Sequence, residues 1–396
     1  MKDKITRLSD EAFDYVCSVY KHLHQMPELA FQEVKTAAYI QAQLADMNIP
    51  FRSGIGTTGI LGILSGKHPS KKTIALRADM DALPIDEETD LPYKSKVPHC
   101  MHACGHDSHV ASLLGVAKVL SALKDEWEGT VLLVFQPGEE RHPGGARLLL
   151  KDGVFRDYTP ELILAQHASV DYPVGTVAFR EGQVMASSDE IHITVKGKGG
   201  HGALPHLFND TVLAASQLIV SLQQVRARLS HPFTPMVLSF GKFIADGSTN
   251  IIPDEVKLSG TLRTLNEQWR HEAKEHIRTI AAQTVAAYGC TCEVDAQDGY
   301  PSVYNDEEIT CDAITFATDL LGKEKVGELE VRMTGEDFGF FTQKYPCTFY
   351  RFGIKSNLNE NAGGLHTSTF RIDLEAFRTS VKVMAWLAYS FVNGTK

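Results

Sequence analysis

Residues 101–109, MHACGHDSH, place three histidines, a cysteine and an aspartate in nine positions, with His99 and Cys100 just upstream. Cys104 and His106 are two apart, so on an extended segment both side chains project to one side and can reach one ion. Thiolate and imidazole are the donors that Zn²⁺ and its transition-series neighbours accept. Taken alone, a C-x-H pair is more often a solvated loop, here with Asp107 as the N-cap of a following helix. What stands at the ends of the other strands decides between these explanations.

The apolar run TVLLVFQ (130–136) leads straight into PGEE, which sets Glu139 and Glu140 at a strand's C-terminal end. Ligands of open parallel sheets bind outside those carboxyl ends. Adjacent carboxylates on an extended turn point in different directions. One can hold a cation while the other takes a proton from a water the cation polarises. ELILAQH (161–167) ends on His167, TIALRADMD (73–81) on Asp79 and Asp81, and GGLHTSTF (363–370) offers His366 after two glycines. A lone Glu-Glu pair is usually a solvated helix start, and a lone histidine usually scaffolding. Cys, His, Glu and Asp supplied together from four strand ends and loops favour a metal site. The three other histidines near Cys104, His99, His102 and His109, are expected at loop or helix-start positions that tolerate substitution.

These residues need a scaffold. At 396 residues and 43% apolar, the chain is long enough for two domains. Helical periodicity over 10–25 and 33–46, then short apolar runs at 59–64, 73–79, 130–136 and 161–167, make a βαβ pattern with helices at 107–124 and 144–151. The three later runs are apolar on both faces, as strands covered by helices on both sides are. The middle differs: strand 190–198, helix 209–229, strands 236–245 and 255–264, helix 266–288 and strand 290–296 spell the βαββαβ order of a ferredoxin-like unit. The expected fold is α/β, a mostly parallel sheet sandwiched by helices, with an inserted α+β lid. Residues 1–185 and 299–396 form the discontinuous catalytic domain and 186–298 the lid.

The net charge of −10 argues against a nucleic-acid surface, which would need clustered Lys and Arg. The N-terminus starts charged and has no apolar signal-peptide core. No run approaches the roughly 18 apolar residues of a membrane span. Seven scattered cysteines are no disulfide framework and fit reduced thiols in a cytoplasmic protein.

RADMDALPIDE (77–87), MHACGHDSH (101–109), FQPGEE (135–140), GKGGHGALPH (197–206), NIIP (250–253) and GLHTSTF (364–370) together resemble the N-acyl-amino-acid amidohydrolase family. That family contains hippurate hydrolases and plant auxin-conjugate hydrolases, and is related to aminoacylases and dimetal carboxypeptidases. The resemblance spans nearly the whole chain. It implies two divalent cations (Zn, Mn, Co or Ni) held by Cys104, His106, Glu140, His167 and His366, with Glu139 as general base. It implies that Asp81 orients a ligand, and that Asn250, Arg263 and His206 help to hold the substrate. It further implies a homodimer formed through the lid, in which His201 reaches the partner's centre and donates a hydrogen bond to the oxyanion. One departure stands out: RHPGGA (141–146) replaces the usual glycine run after the Glu-Glu pair.

The expected function is hydrolysis of the amide of an N-acyl amino acid. A metallo-dipeptidase or carboxypeptidase is the near alternative. A non-catalytic metal- or small-molecule-binding protein is the distant one, and Glu139 argues against it because metal binding alone needs no second carboxylate. Thiol-redox chemistry at Cys104 is weaker, since Cys100 and Cys104 lack the C-x-x-C spacing.

Overall fold

A computed structural model describes residues 1–357 and 362–394. The chain divides into two compact units, Met1–Val184 with Tyr304–Glu330 and Phe340–Lys396, and Met185–Val303 with Val331–Gly339.

The larger unit holds an eight-stranded mixed sheet. Its order is Phe51–Ile55, Gly59–Ser65, Thr130–Gln136, Thr73–Asp79, Leu162–Pro173, Cys347–Lys355, Val177–Phe179 and Val326–Glu328. The central four strands are mutually parallel, with antiparallel neighbours on either side. Every residue of Thr130–Gln136 is buried, as a strand covered on both faces requires. Helix His106–Ala122 is buried almost all round and has only weak amphipathicity, the pattern of a helix enclosed by other elements. The C-terminal helix Ala376–Asn393 packs against it and buries Phe377, Val381, Met384 and Leu387. Each such side chain contributes about 1.5–3 kcal/mol by leaving water, so the helix layer is a firm base for the sheet's C-terminal edge.

The smaller unit has a four-stranded antiparallel sheet in the order Met236–Ile244, Glu255–Thr264, Ser188–Lys196, Thr291–Tyr300. Ile191, Ile193 and Val195 are buried while the residues between them are not, so one face is apolar. Helices Thr211–Gln224 and Glu267–Ala286 cover that face, each started by a side-chain cap, Asp210 and Asn266. This unit also takes in Val331–Gly339, a return of the chain that nothing in the local pattern signals. Among the described residues no helix is long and apolar enough to cross a membrane.

Candidate metal centre

Strand register sets the site. Asp79 pairs with Gln136, and Arg77 with Ala165, so two strands end level with each other beside the middle of the third, Leu162–Pro173. Past that level come Asp81, the Glu139–Glu140 turn and His167. The strand carrying His167 continues to Pro173, so this histidine lies inside a strand and not at its end as the apolar run suggests. Leu83 pairs with Met101 and closes the loop that brings Cys104 back to the same edge. Gly105 takes φ +86, which a side chain disfavours, and turns the chain from Cys104 into the helix that begins at His106. His366 arrives from the C-terminal segment, its amide donating to the Ala103 carbonyl at 2.8 Å.

All five expected metal-holding side chains of the larger unit converge. Cys104, His106 and His167 place potential ligand atoms within 4.8 Å of one another, and so do Cys104, Glu140 and His366. His106, Glu139 and Glu140 form a third such group, which brings the expected base to the same place. Cys104 Sγ lies 3.5 Å from His167 Nε2, and His366 Nε2 lies 3.0 Å from Glu140 Oε1.

The hydrogen bonds behind these groups fix which atoms face inward. Asp81 uses both carboxylate oxygens: Oδ1 accepts from His106 Nδ1 at 3.1 Å, and Oδ2 from the Glu140 amide at 2.9 Å. His106 Nε2 is buried with no hydrogen-bond partner. His167 Nδ1 donates to the Ala168 carbonyl at 2.7 Å, which leaves the Nε2 lone pair toward Cys104. The Ala168 amide donates to His109 Nε2 at 2.9 Å, so His109 must carry its proton on Nδ1, and it donates that proton to Asp79. Arg77 completes the chain with a 2.6 Å ion pair to Asp79. Partners of this kind set the tautomer and direction of metal-ligating histidines.

His102 lies on the loop and His109 in the first turn of the helix, as the sequence suggests, but both are buried at 1% exposure and not at the surface. His99 is exposed and pairs with Asp86. Asp107 is not a solvated cap either, because it lies in the first helical turn and pairs with the buried His24 at 2.6 Å. Asp79 was noted in the sequence only as a strand-end charge, and Arg77 and His109 were not seen as its partners. Their alternation with Asp81 and their spacing from His106 were the available signal, and burial was the missing fact. Arg141 and His142 are exposed on the turn after Glu140.

The electrostatics suit a cation. Burial pushes the Cys104 thiol up to about 12, so a thiolate there needs positive charge beside it. Burial would lower His106, but Asp79 and Cys104 outweigh it and raise the imidazole well above its usual value. Burial, with Arg351 adding to it, holds His167 well below its usual value, so it is a neutral donor. A set of carboxylates, one thiol and the inward Nε2 atoms of His106 and His167, the first of them orphaned, is what transition cations bind. Cys104→Ser should therefore weaken metal affinity by more than the roughly 10–100-fold that loss of an outer partner costs. Elemental analysis reads this directly, and full occupancy with normal turnover would remove Cys104 from the metal set.

The remaining expected residues lie in the smaller unit. His201 does not sit on an irregular loop: it belongs to a two-residue strand paired with Ile251–Ile252, and its side chain is exposed. The same pairing brings Asn250 beside it, with the Gly202 amide donating to the Asn250 carbonyl at 2.9 Å. His206 is exposed in the short helical turn Pro205–Leu207. Arg263 is half-buried on the strand Glu255–Thr264, its Nε donating to Thr261 Oγ1 at 3.0 Å.

The profile of peptidase family M20/M25/M40 matches residues 75–390. Thermostable carboxypeptidase 1 of Saccharolobus solfataricus is 37% identical over 389 residues, covering 97% of both chains. An N-acetyldiaminopimelate deacetylase of Anoxybacillus flavithermus is 38% identical over 371 residues, 93% of this chain and 95% of that one. The crystal structure of the Bacillus subtilis YxeP protein, described as a dinuclear metal binding peptidase, superposes with a TM-score of 0.83 at 35% identity. It covers 96% of this chain and 99% of its own. The chain thus belongs to peptidase family M20/M25/M40, whose members hydrolyse amide bonds.

Proposed function

We propose that this chain is a dimetal amidohydrolase that cleaves N-acyl amino acids to a carboxylic acid and a free amino acid. The observation that carries the reading is the convergence of the buried Cys104, His106 and His167 with the partly buried Glu140 and the exposed His366, a second carboxylate, Glu139, being in reach. The names of similar proteins, deacetylase and carboxypeptidase, support an amide substrate with a free carboxylate. In this reading those five side chains hold two divalent cations (Zn, Mn, Co or Ni). When bound, such ions supply Lewis acidity, lowering the pKa of water from about 16 toward 7 and polarising a carbonyl.

The chain's own residues do the rest. Glu139 takes the proton of the attacking water as its oxygen bonds to the carbonyl carbon. It returns that proton to the amide nitrogen as the C–N bond breaks, so the amine leaves neutral. Asp81 keeps His106 and the Glu140 backbone in register. Arg263 pairs with the substrate carboxylate through its planar fork, while Asn250 and His206 line the substrate's place. The partner subunit's His201 donates a hydrogen bond to the carbonyl oxygen as it gains charge.

The homodimer belongs to this reading. Support comes from the smaller unit, whose edge strand Met236–Ile244 has an open side and exposes Phe243 and Ile244. Helix Thr211–Gln224 leaves Leu213 and Val220 exposed as well. Seven unpaired cysteines, Cys104 among them, support a reducing, cytoplasmic setting.

Acetyl-, benzoyl- and aminoacyl-amino acids assayed side by side test the substrate class. The acyl substrates are expected to turn over fastest. Preference for aminoacyl substrates by tenfold or more in kcat/KM would make the protein a dipeptidase or carboxypeptidase instead.

A further inference from the structure

Glu33 is fully buried, yet it is neither a metal ligand nor part of the Asp79–His109 chain. Burying a carboxylate is costly unless its oxygens are met by donors. Here Oε1 accepts from two backbone amides, Phe31 and Gly138, both at 2.8 Å, and Oε2 accepts from Thr58 Oγ1 at 2.7 Å. Glu33 immediately precedes helix Val34–Asp46, where a carboxylate would ordinarily cap the first turn. Glu28 fills that role instead, accepting from the Lys35 and Thr36 amides at 3.2 and 2.8 Å. The Glu33 side chain is thereby left to reach Gly138, 105 residues away in sequence.

Gly138 is the residue before the expected base, Glu139. It stands at φ +57, and a Cβ there would lie 2.2 Å from the Phe31 ring. Phe31 itself holds φ +67, a conformation that bulky residues rarely adopt and that persists only where surrounding structure enforces it. A strained Phe31, a buried carboxylate and a left-handed glycine thus meet at one peptide. On the other side of Glu139, the Glu140 amide is held by Asp81 at 2.9 Å. The segment that carries Glu33 also braces Asp81, since the Glu28 carbonyl accepts from the Ala82 amide at 2.9 Å.

We propose that Glu33 is a positioning residue for Glu139: by holding the Gly138 amide it fixes the turn from which the base reaches the attacking water. The proposal rests on the reading of Glu139 as general base. Its effect belongs to the rate of the chemical step and not to metal affinity, because the backbone amide of Glu140 is held separately by Asp81.

The test uses the metal-replete enzyme and the fastest N-acyl amino acid of the panel. Glu33→Ala should lower kcat by about 10²-fold, the loss that a misplacement of about 1 Å can produce, with KM within about twofold and metal content unchanged. Glu33→Gln keeps an acceptor oxygen for the two amides and should recover kcat to within about fivefold of the parent. Combining Glu33→Ala with Glu139→Gln should cost almost nothing beyond Glu139→Gln alone, since a missing base has no position to lose. Unchanged kcat in Glu33→Ala, equal loss in both Glu33 variants, or metal loss in proportion to activity would each overturn the proposal. If Glu33→Ala does not fold, Thr58→Val removes only the contact to Oε2 and should lower kcat about 5–10-fold at constant KM, on the same positional argument. Parent-like kcat in that variant then overturns the proposal. Retained activity in Glu139→Gln alone would instead defeat the reading of the base, whatever Glu33 does.

Discussion

Glu139→Gln is expected to lower kcat by about 10⁴-fold, the upper end of what a positioned acid–base group supplies, while metal content stays at its parent value. The size follows from the double duty assigned to one carboxylate, which both takes the water proton and delivers it to the amine. The amide is nearly isosteric with the acid, and neither of its ends can accept a proton at neutral pH. Glu139 is buried at 7% exposure beside Glu140 and His106, so bulk water is poorly placed to substitute as base. Elemental analysis and steady-state kinetics on the same preparation separate the two glutamates. Loss of metal from Glu139→Gln would mean that their roles are exchanged.

The next largest effect is expected from His201→Ala, a fall in kcat of about 10²–10³-fold, as for loss of one oxyanion donor. Metal content should not change, because His201 is exposed on a strand of the smaller unit and belongs to none of the groups of potential metal ligands found among the described residues. The proposal that it acts on the partner's site has a sharper consequence. Inactive His201→Ala and inactive Glu139→Gln subunits, mixed under conditions that allow exchange, should regain part of the activity. In a mixed dimer, one site combines an intact Glu139 with an intact His201 from the other subunit. Confirmed subunit exchange with no recovery would place His201 outside the partner's site.

Much of this was legible in the sequence. The parallel core strands were visible because TIALRAD and TVLLVFQ are apolar on both faces, and the smaller unit because EIHITVKGK alternates. The five converging residues could be found because in sequence each follows an apolar run or sits by a glycine-marked loop, although His167 proves to lie inside its strand. The support layer was much harder to see. Asp79 and Asp81 are both strand-end aspartates in sequence, and only register shows that one braces His109 while the other braces His106 and Glu140. His102 and His109 look like surface polar residues in sequence, and only the fold shows that both are buried. Glu33 carries no signal, because a glutamate before a helix reads as a cap. That it holds a glycine 105 residues further on is a tertiary fact.

The central claim, that hydrolysis depends on two cations held by Cys104, His106, Glu140, His167 and His366, is tested most directly by metal titration. The protein is stripped with chelator and reloaded in steps with Zn²⁺, Mn²⁺, Co²⁺ or Ni²⁺, and hydrolysis of an N-acyl amino acid is followed at each step. The account predicts no turnover in the stripped protein and a rise that levels off at two equivalents per chain with at least one of these ions. Undiminished hydrolysis by the metal-free protein, or two bound equivalents with no amide cleaved across the panel, would contradict it.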